Sequence, residues 1–401
     1  MSLWRNRNFL IFLTIQALSV AGDSFSAIAV PLLVLQETGS VVQMGLLTGT
    51  SAVASLLAGT FAGVIADRFD RRRLLILCDV VRAVLFAAVP VVWFFSPQIW
   101  LLYVIMPLAA AIGMLFQVTY VTVVPALVDD REQLTQANSR LYAVYALGGI
   151  GGPALAGLTS QLYGPAVALG IDALTFAVSA VGLLLVRLRP AEPVAAADRG
   201  GFFDGARFLF RQPVLRALTI LLTCYIFLTS GLDDIVIYYL KHDLRQNDDA
   251  VGLVLACGAV GSILGASALT RLRRRFGFGG TWIGAVSFSG LVIAAVGVGP
   301  GVIGLAAIMM GYFLGQAVAG ICSQTLRQEI TPSHLLGRVT SAFWTIHFAL
   351  GPAGAALLTL AVAGFGVPAV MLAAGAGIVL IAVAGSLTPV RRPRPEEGAA
   401  G

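Results

Sequence analysis

Twelve stretches of predominantly apolar sequence, each about 20 residues or longer, decide what this chain can fold into. They run at roughly 9–35, 43–65, 73–95, 98–125, 139–162, 166–188, 215–240, 250–269, 279–298, 301–325, 338–363 and 366–387. A segment of that length crosses a hydrocarbon core as a helix, because only a helix satisfies every backbone polar group within the segment itself. With 58% hydrophobic and only 11% charged residues, the 401-residue chain is not an ordinary soluble globule. The expected fold class is all-α and integral to a membrane, with twelve transmembrane helices.

The basic residues supply an orientation. Arg5, Arg7, the cluster from Arg68 to Arg73, Arg131, Arg140, Arg187, Arg189, Arg199, Arg207, Arg211 and Arg216 fall on one side of the spans. Arg271, Arg273 to Arg275, Arg327, Arg338, Arg391, Arg392 and Arg394 fall on the same side. Lys241 and Arg245, between spans 7 and 8, stand alone on the other. By the positive-inside rule both termini are expected in the cytoplasm. The net charge of +6 therefore reports topology, and nucleic acid is not an expected partner. The first apolar stretch is too long for a signal-peptide core and ends in no small-residue cleavage site. A single lysine among many arginines fits a high-GC bacterial genome.

The chain repeats itself at an offset of 202 residues. Gly59, Gly63 and Arg71-Arg72-Arg73 recur as Gly261, Gly265 and Arg273-Arg274-Arg275, while Leu269 stands where the first copy has Asp67. Gly152-Pro153 answers Gly351-Pro352 after a small shift. Parallel repeats of six spans predict two related halves. The expected domains are a first half at 1–189, a linker at 190–214, a second half at 215–388 and a disordered tail at 389–401. Within the linker, the mixture of Phe202, Phe203, Phe208, Leu209 and Phe210 with Asp204, Arg207 and Arg211 fits an amphipathic surface helix. A plain connector fits it equally.

Gly63-x-x-x-Asp67-Arg68-x-x-Arg71-Arg72 sits at the turn between spans 2 and 3. Gly59 and Gly63, one helical turn apart, permit close approach of a neighbouring helix. Asp67 falls at the C-terminal end of its own helix, where the macrodipole disfavours a carboxylate. It needs an arginine or another helix's N-terminus as partner. This run resembles the loop joining spans 2 and 3 in the major facilitator superfamily. Gly22-Asp23-Ser24, Pro31-Leu32-Leu33, Glu37-Thr38-Gly39-Ser40, Asp79-x-x-Arg82 and Asp172-Ala173-Leu174-Thr175-Phe176 narrow the resemblance. They are similar to a family of twelve-span exporters that includes enterobactin and macrolide efflux proteins. The resemblance implies two six-helix halves related by pseudo-two-fold symmetry and proton-coupled export of a small organic molecule. It also implies monomeric operation amid membrane lipid and no cofactor beyond the proton gradient. In such a fold Gly63, Asp67, Arg68, Arg71 and Arg72, with Arg338 at the start of span 11, form a cytoplasmic gate. The N-terminus near Gly337 and Arg338 is the expected receptor for Asp67.

Ionisable groups at membrane depth are costly and point to function. Asp23, near the middle of span 1, is expected to take up and release the coupling proton. The alternative is a structural carboxylate held by Ser19 or Ser26. Asp233 and Asp234 lie in the outer part of span 7, the repeat mate of span 1. Asp234 either joins in proton coupling or stands in outer water. Asp79 and Arg82, three residues apart on span 3, share a helix face and are expected to pair near the gate. Asp172 reads as a packing and capping residue rather than a proton carrier. In span 5, Gly148, Gly152, Pro153 and Gly157 resemble a motif associated with antiporters, with Ala156 in place of one of its glycines.

Polar and aromatic residues inside the spans are the candidate substrate contacts: Gln16, Phe25, Gln117, Tyr120, Tyr225, Tyr238, Gln316, Trp344 and His347. His347 either titrates near neutrality or is a satisfied buried histidine. The three histidines are isolated, the four cysteines form no C-x-x-C pair, and no H-E-x-x-H or G-x-S-x-G occurs. Neither a metal site nor a catalytic residue is expected. An importer or facilitator, a lipid flippase and a non-transporting sensor remain as alternative readings of the same architecture.

Overall fold

The computed structural model describes residues 3–38, 41–128, 130–188, 202–246 and 248–395. Asp129, Arg189, residues 190–201 of the linker (Arg199 among them) and the last six residues of the expected tail lie outside this set. All regular structure among the described residues is helical. The first half contains α1 (Arg7–Thr38), α2 (Val41–Arg68), α3 (Arg71–Phe95), α4 (Ile99–Val123), α5 (Arg131–Tyr163) and α6 (Pro165–Leu185). Next come α7 (Phe202–Arg211), α8 (Pro213–Thr229), α9 (Leu232–Tyr238), α10 (Asp248–Ala294), α11 (Val302–Ile330) and α12 (Leu336–Ser386).

Local chemistry fixes the helix starts. The Asn6 side chain accepts from Phe9 N at 3.1 Å, and Asp70 accepts from Arg73 N at 2.8 Å. Asp130 accepts both the backbone and the side-chain amide of Gln133, at 2.7 and 2.9 Å, and so caps α5.

Nine described segments are long and apolar enough to cross a membrane. Two of these are double: α10 breaks at Gly277 (φ 67°) and α12 at Gly366 (φ 77°). Positive φ at those turns suits glycine, which carries no Cβ to clash. Helix α5, with a charge-free apolar stretch after its polar first turns, completes the twelve expected from the sequence. One expected span is interrupted. Gly231 is left-handed (φ 80°) and divides span 7 into α8 and α9, which ends in a π turn at Tyr239–Asp243.

Two compact units emerge, and each borrows from the other half of the sequence. The first comprises Met1–Ala137, Leu147–Ala206 and Thr331–Thr345; the second comprises Asn138–Ala146, Arg207–Ile330 and Ile346–Gly401. The start of α12 thus belongs with the first unit, and the Asn138–Ala146 stretch inside α5 with the second. In the first unit α6 packs on α1 and α3, while α2 packs on α4. Its core gathers Phe25, Phe86, Val89, Leu102, Leu169 and Phe176. In the second unit α10 packs along α11, where Gly261 and Gly265 meet the backbone of Met310 and Leu314.

The linker segment Phe202–Arg211 is a helix, with Leu209 fully buried and Phe203 81% exposed. Residues 389–395 correct the expectation of disorder. Pro389–Arg391 forms a 3-10 turn with Val390 buried, and the carbonyls of Pro393 and Arg392 accept from Phe278 N (2.8 Å) and Gly279 N (3.2 Å). Those N–H groups begin the second helical segment of α10 and lack intrahelical acceptors, so the chain end caps them.

Candidate functional site: an anchored carboxylate and a buried charge cluster

Asp67 closes the last turn of α2 and meets the first turn of α12. Its Oδ1 accepts from Gly337 N at 2.8 Å, and its Oδ2 accepts from Arg338 N at 3.0 Å and Arg338 Nε at 3.1 Å. The two side chains are 2% and 4% exposed. The carboxylate that sits badly on its own helix dipole sits well on that of α12. Gly63, one turn earlier on the same face, makes the approach possible: a Cβ there would lie 2.5 Å from the Gly337 carbonyl and 2.6 Å from Arg338 Cα. Ser341 donates to the Gly59 carbonyl one turn further along.

The arginines of the motif serve helix ends. Arg71 donates to the carbonyls of Thr122 (3.2 Å) and Ser333 (2.6 Å). Arg72 donates from Nε to Leu183 O at 2.8 Å and from a terminal nitrogen to Leu184 O, satisfying the C-terminal carbonyls of α6. Arg68 closes α2. Arg338 also donates to His334 O at 2.9 Å and stands 3.9 Å from Asp204 of α7.

Asp79 and Arg82 pair as their spacing predicts, at 2.6 Å. Their placement corrects the expectation that they belong to the gate. Arg82 lies eleven residues along α3 from Arg71, about 16 Å at 1.5 Å per residue, and its other terminal nitrogen is 3.9 Å from Asp23. The pair therefore belongs with the carboxylate of span 1. Ser179 of α6 donates to the free oxygen of Asp79 at 2.6 Å. The Arg82 guanidinium lies over the rings of Phe176 (4.0 Å) and Phe116 (4.5 Å), which replace part of its lost hydration. Asp79 is fully buried, whereas the Asp23 side chain is 46% exposed. Ser26 donates to the Asp23 backbone carbonyl at 3.0 Å rather than to its carboxylate.

This geometry carries a stability prediction. Arg82→Met leaves Asp79 buried without its cation, a change that typically costs about 3–5 kcal/mol. Thermal unfolding in detergent should show a clearly lower midpoint than for the parent protein. An unchanged midpoint would mean that Asp79 carries no charge.

The antiporter-like motif of span 5 divides in two. Gly148 and Gly152 pack on α1, where added Cβ atoms would meet Val20 and Ser24, so they seat the helix that carries Asp23. Gly157 has nothing within 4 Å. It lies five residues past Gly152, off the packed face, and the fully buried Ala156 takes the i+4 position instead. The side chain of Pro153 falls outside the described set, as does that of Lys241.

Asp234 lies in the first turn of α9 in the second unit, exposed and without a basic partner among the described residues. The candidate substrate contacts divide between the units. In the first, Gln16 and Phe25 are buried, Gln117 is half-buried, Tyr120 stacks on Phe12 at 5.7 Å, and Trp344 packs on the Ala62–Met114 cluster. In the second, Tyr225 is buried, and Tyr312 Oη accepts from Gln316 at 3.0 Å. There too Thr223 lies 3.5 Å from His347 Nε2, and Tyr238 stacks on His242 at 4.9 Å. Sequence reading missed Ser179 and the proximity of Asp23 to Arg82, both products of packing between helices distant in sequence. It also missed the polar pairing of Asn138 on α5 with Thr325 (3.0 Å) and Gln328 (2.6 Å) on α11. No group of metal-binding residues occurs among the described residues.

The family model for the Major Facilitator Superfamily matches residues 12–356. The chain belongs to the major facilitator superfamily. It is a multi-pass membrane transporter with the twelve-helix, two-half fold of that superfamily. The transporter is 28% identical over 386 residues to the multidrug efflux pump Tap of Mycolicibacterium fortuitum, with 92% of each chain covered. It is 27% identical over 411 residues to the enterobactin exporter EntS of Citrobacter koseri, covering 96% of this chain and 92% of that one. Among solved structures, a bacterial homologue of the iron transporter ferroportin in an outward-facing state matches with a TM-score of 0.79. That match has 17% identity and covers 95% of this chain and all of the other. FucP in an outward conformation matches with a TM-score of 0.76 at 14% identity, covering 94% and 98% of the two chains. At these identities the structural matches establish the fold alone.

Proposed function

We propose that the transporter exports a small organic molecule of antibiotic, drug or siderophore type from the cytoplasm in exchange for protons. The observation that carries this reading is Asp23, a half-exposed carboxylate within a membrane span and 3.9 Å from Arg82. Its charged form is costly at that depth, so it exchanges between the Arg82 cation and a proton. Similarity to named efflux proteins over nearly the whole chain supports export as the direction.

The cycle is alternating access between the two halves. Asp67 on the α12 N-terminus is the cytoplasmic latch of the outward-open state, with both chain termini in the cytoplasm. A proton arriving from outside neutralises Asp23, weakens its hold on Arg82 and favours the substrate-free form. Proton and substrate shift the same equilibrium only by binding its two states unequally. The protein works as a monomer in lipid and draws its energy from the proton gradient.

Inverted membrane vesicles energised to a proton gradient test the proposal, using a panel of fluorescent and radiolabelled antibiotics, dyes and siderophores. The expected result is accumulation of at least one compound that a protonophore collapses and that Asp23→Asn abolishes. Accumulation that survives both treatments would overturn proton coupling through Asp23. Flux in the opposite direction would make the protein an importer.

A further inference from the structure

Helices α1 and α6 meet at Gly22. A Cβ at that position would lie 2.7 Å from Asp172 Oδ1 and against Thr175 Oγ1. The missing side chain lets the backbone leading into Asp23 run alongside Asp172. Asp172 is completely buried and caps nothing; Gly164 is the N-cap of its helix. Its packing role is real, but its carboxyl group is poorly served. Oδ1 accepts one long bond of 3.3 Å from Thr175, a hydroxyl already given to the Asp172 carbonyl at 2.8 Å. Oδ2 is buried with no hydrogen bond of good geometry, because the nearby Ser26 hydroxyl is committed to the Asp23 carbonyl.

The charges around it do not balance. Asp23 comes from α1, Asp79 and Arg82 from α3, and Asp172 from α6, so three carboxylates face one guanidinium. From α3 the neighbourhood also holds Cys78, a free and buried thiol, and α4 contributes the Phe116 ring. Asp79 takes the close contact with Arg82 and the Ser179 hydroxyl, so both its oxygens are satisfied. Arg82 Nε is itself buried without a partner. An anionic Asp172 would be a buried charge with one weak hydrogen bond, which protein interiors do not sustain. A neutral carboxyl group removes that charge and supplies a donor at the atom that now has no partner.

Building on the proton-coupled reading, we infer that Asp172 is a second proton-binding residue, paired with Asp23 across the α1–α6 contact. Asp172 holds its proton while Arg82 neutralises Asp79. The one uncompensated charge is then that of Asp23, which is the half-exposed member and the point of exchange with water. Each event makes or breaks a single O–H bond, with water as the source and sink of the proton. The pair can hold two protons, and Asp23 gives up the more exchangeable one. Substitution at Asp172 therefore alters the pH dependence of transport without touching the exposed carboxylate.

Infrared spectroscopy of the purified full-length protein in lipid nanodiscs tests this without any substrate. The expected result is a protonated-carboxyl band in the wild type near neutral pH. That band should persist in Asp23→Asn and disappear in Asp172→Asn, which keeps the side-chain shape. A wild-type spectrum lacking the band overturns the inference even if no variant folds. So does a band that survives in folded Asp172→Asn. Because the readout is spectroscopic, absence of transport with the band present would refute the transport reading and leave the pair standing. Transport without the band would do the reverse.

Discussion

Asp67→Ala is expected to release the start of α12 from α2 and to cut transport by two orders of magnitude or more. The substitution removes the acceptor for three donors, Gly337 N, Arg338 N and Arg338 Nε, and leaves the 4%-exposed Arg338 side chain beside an apolar methyl group. Breaking a buried pair of this kind costs about 3–5 kcal/mol, and each 1.4 kcal/mol is about tenfold in an equilibrium. If the latch stabilises one state of the cycle, its loss moves the population by roughly a hundredfold or more. Cysteine at Ser333, in a background lacking Cys78, Cys224, Cys257 and Cys322, reports the change through its rate of alkylation. Ser333 suits this because its carbonyl is held by Arg71 at 2.6 Å in the latched form. Alkylation should quicken markedly in Asp67→Ala and less in Asp67→Asn, whose amide oxygen still accepts one bond. Equal rates in all three proteins would remove Asp67 from the gating mechanism.

The second large effect is expected from a single methyl group. Gly63→Ala should abolish transport, while Gly157→Ala should leave it near the parental level. The new Cβ at position 63 would sit 2.5 Å from the Gly337 carbonyl, 2.6 Å from Arg338 Cα and 2.7 Å from Ser341 Cβ. Two of these neighbours are backbone atoms, so the clash cannot be relieved by a rotamer change. Overpacking usually costs about 1–3 kcal/mol, and here relief requires separating α2 from α12. That separation also pulls Asp67 away from its donors, so steric and electrostatic losses add. Gly157 has open space around it, and alanine favours the helix there. Transport assays on the two variants, with thermal unfolding as a check on folding, settle the contrast. A functional Gly63→Ala protein would show that the close approach of these helices is dispensable.

Several of these features are legible one helix at a time. Asp67 reads as a misplaced carboxylate because position and helix dipole are both sequence properties, and the superfamily resemblance implies its receptor at Gly337 and Arg338. Asp79 and Arg82 read as a pair because three residues separate them on one face. The twelve crossings follow from apolar length. Gly157 shows the limit of such reading: it belongs to a recognisable pattern, yet a five-residue step rotates it off the face that Gly148 and Gly152 present.

Sequence by itself determined the membrane class, the duplicated plan, the superfamily and the residues capable of holding charge within the spans. Apolar length, helical period and charge placement act locally, and each survives whatever the neighbouring helices do. Only the tertiary structure decided which charges meet. It took Asp79 and Arg82 away from the gate and set them beside Asp23. It brought Asp172 against Gly22 of α1, and it gave the 389–395 segment to the open end of α10 as a cap. These contacts join residues a hundred or more positions apart in several cases, and their energies depend on burial and on competing partners. Burial and partnership are properties of the packed helices together, so no stretch of the chain contains them alone.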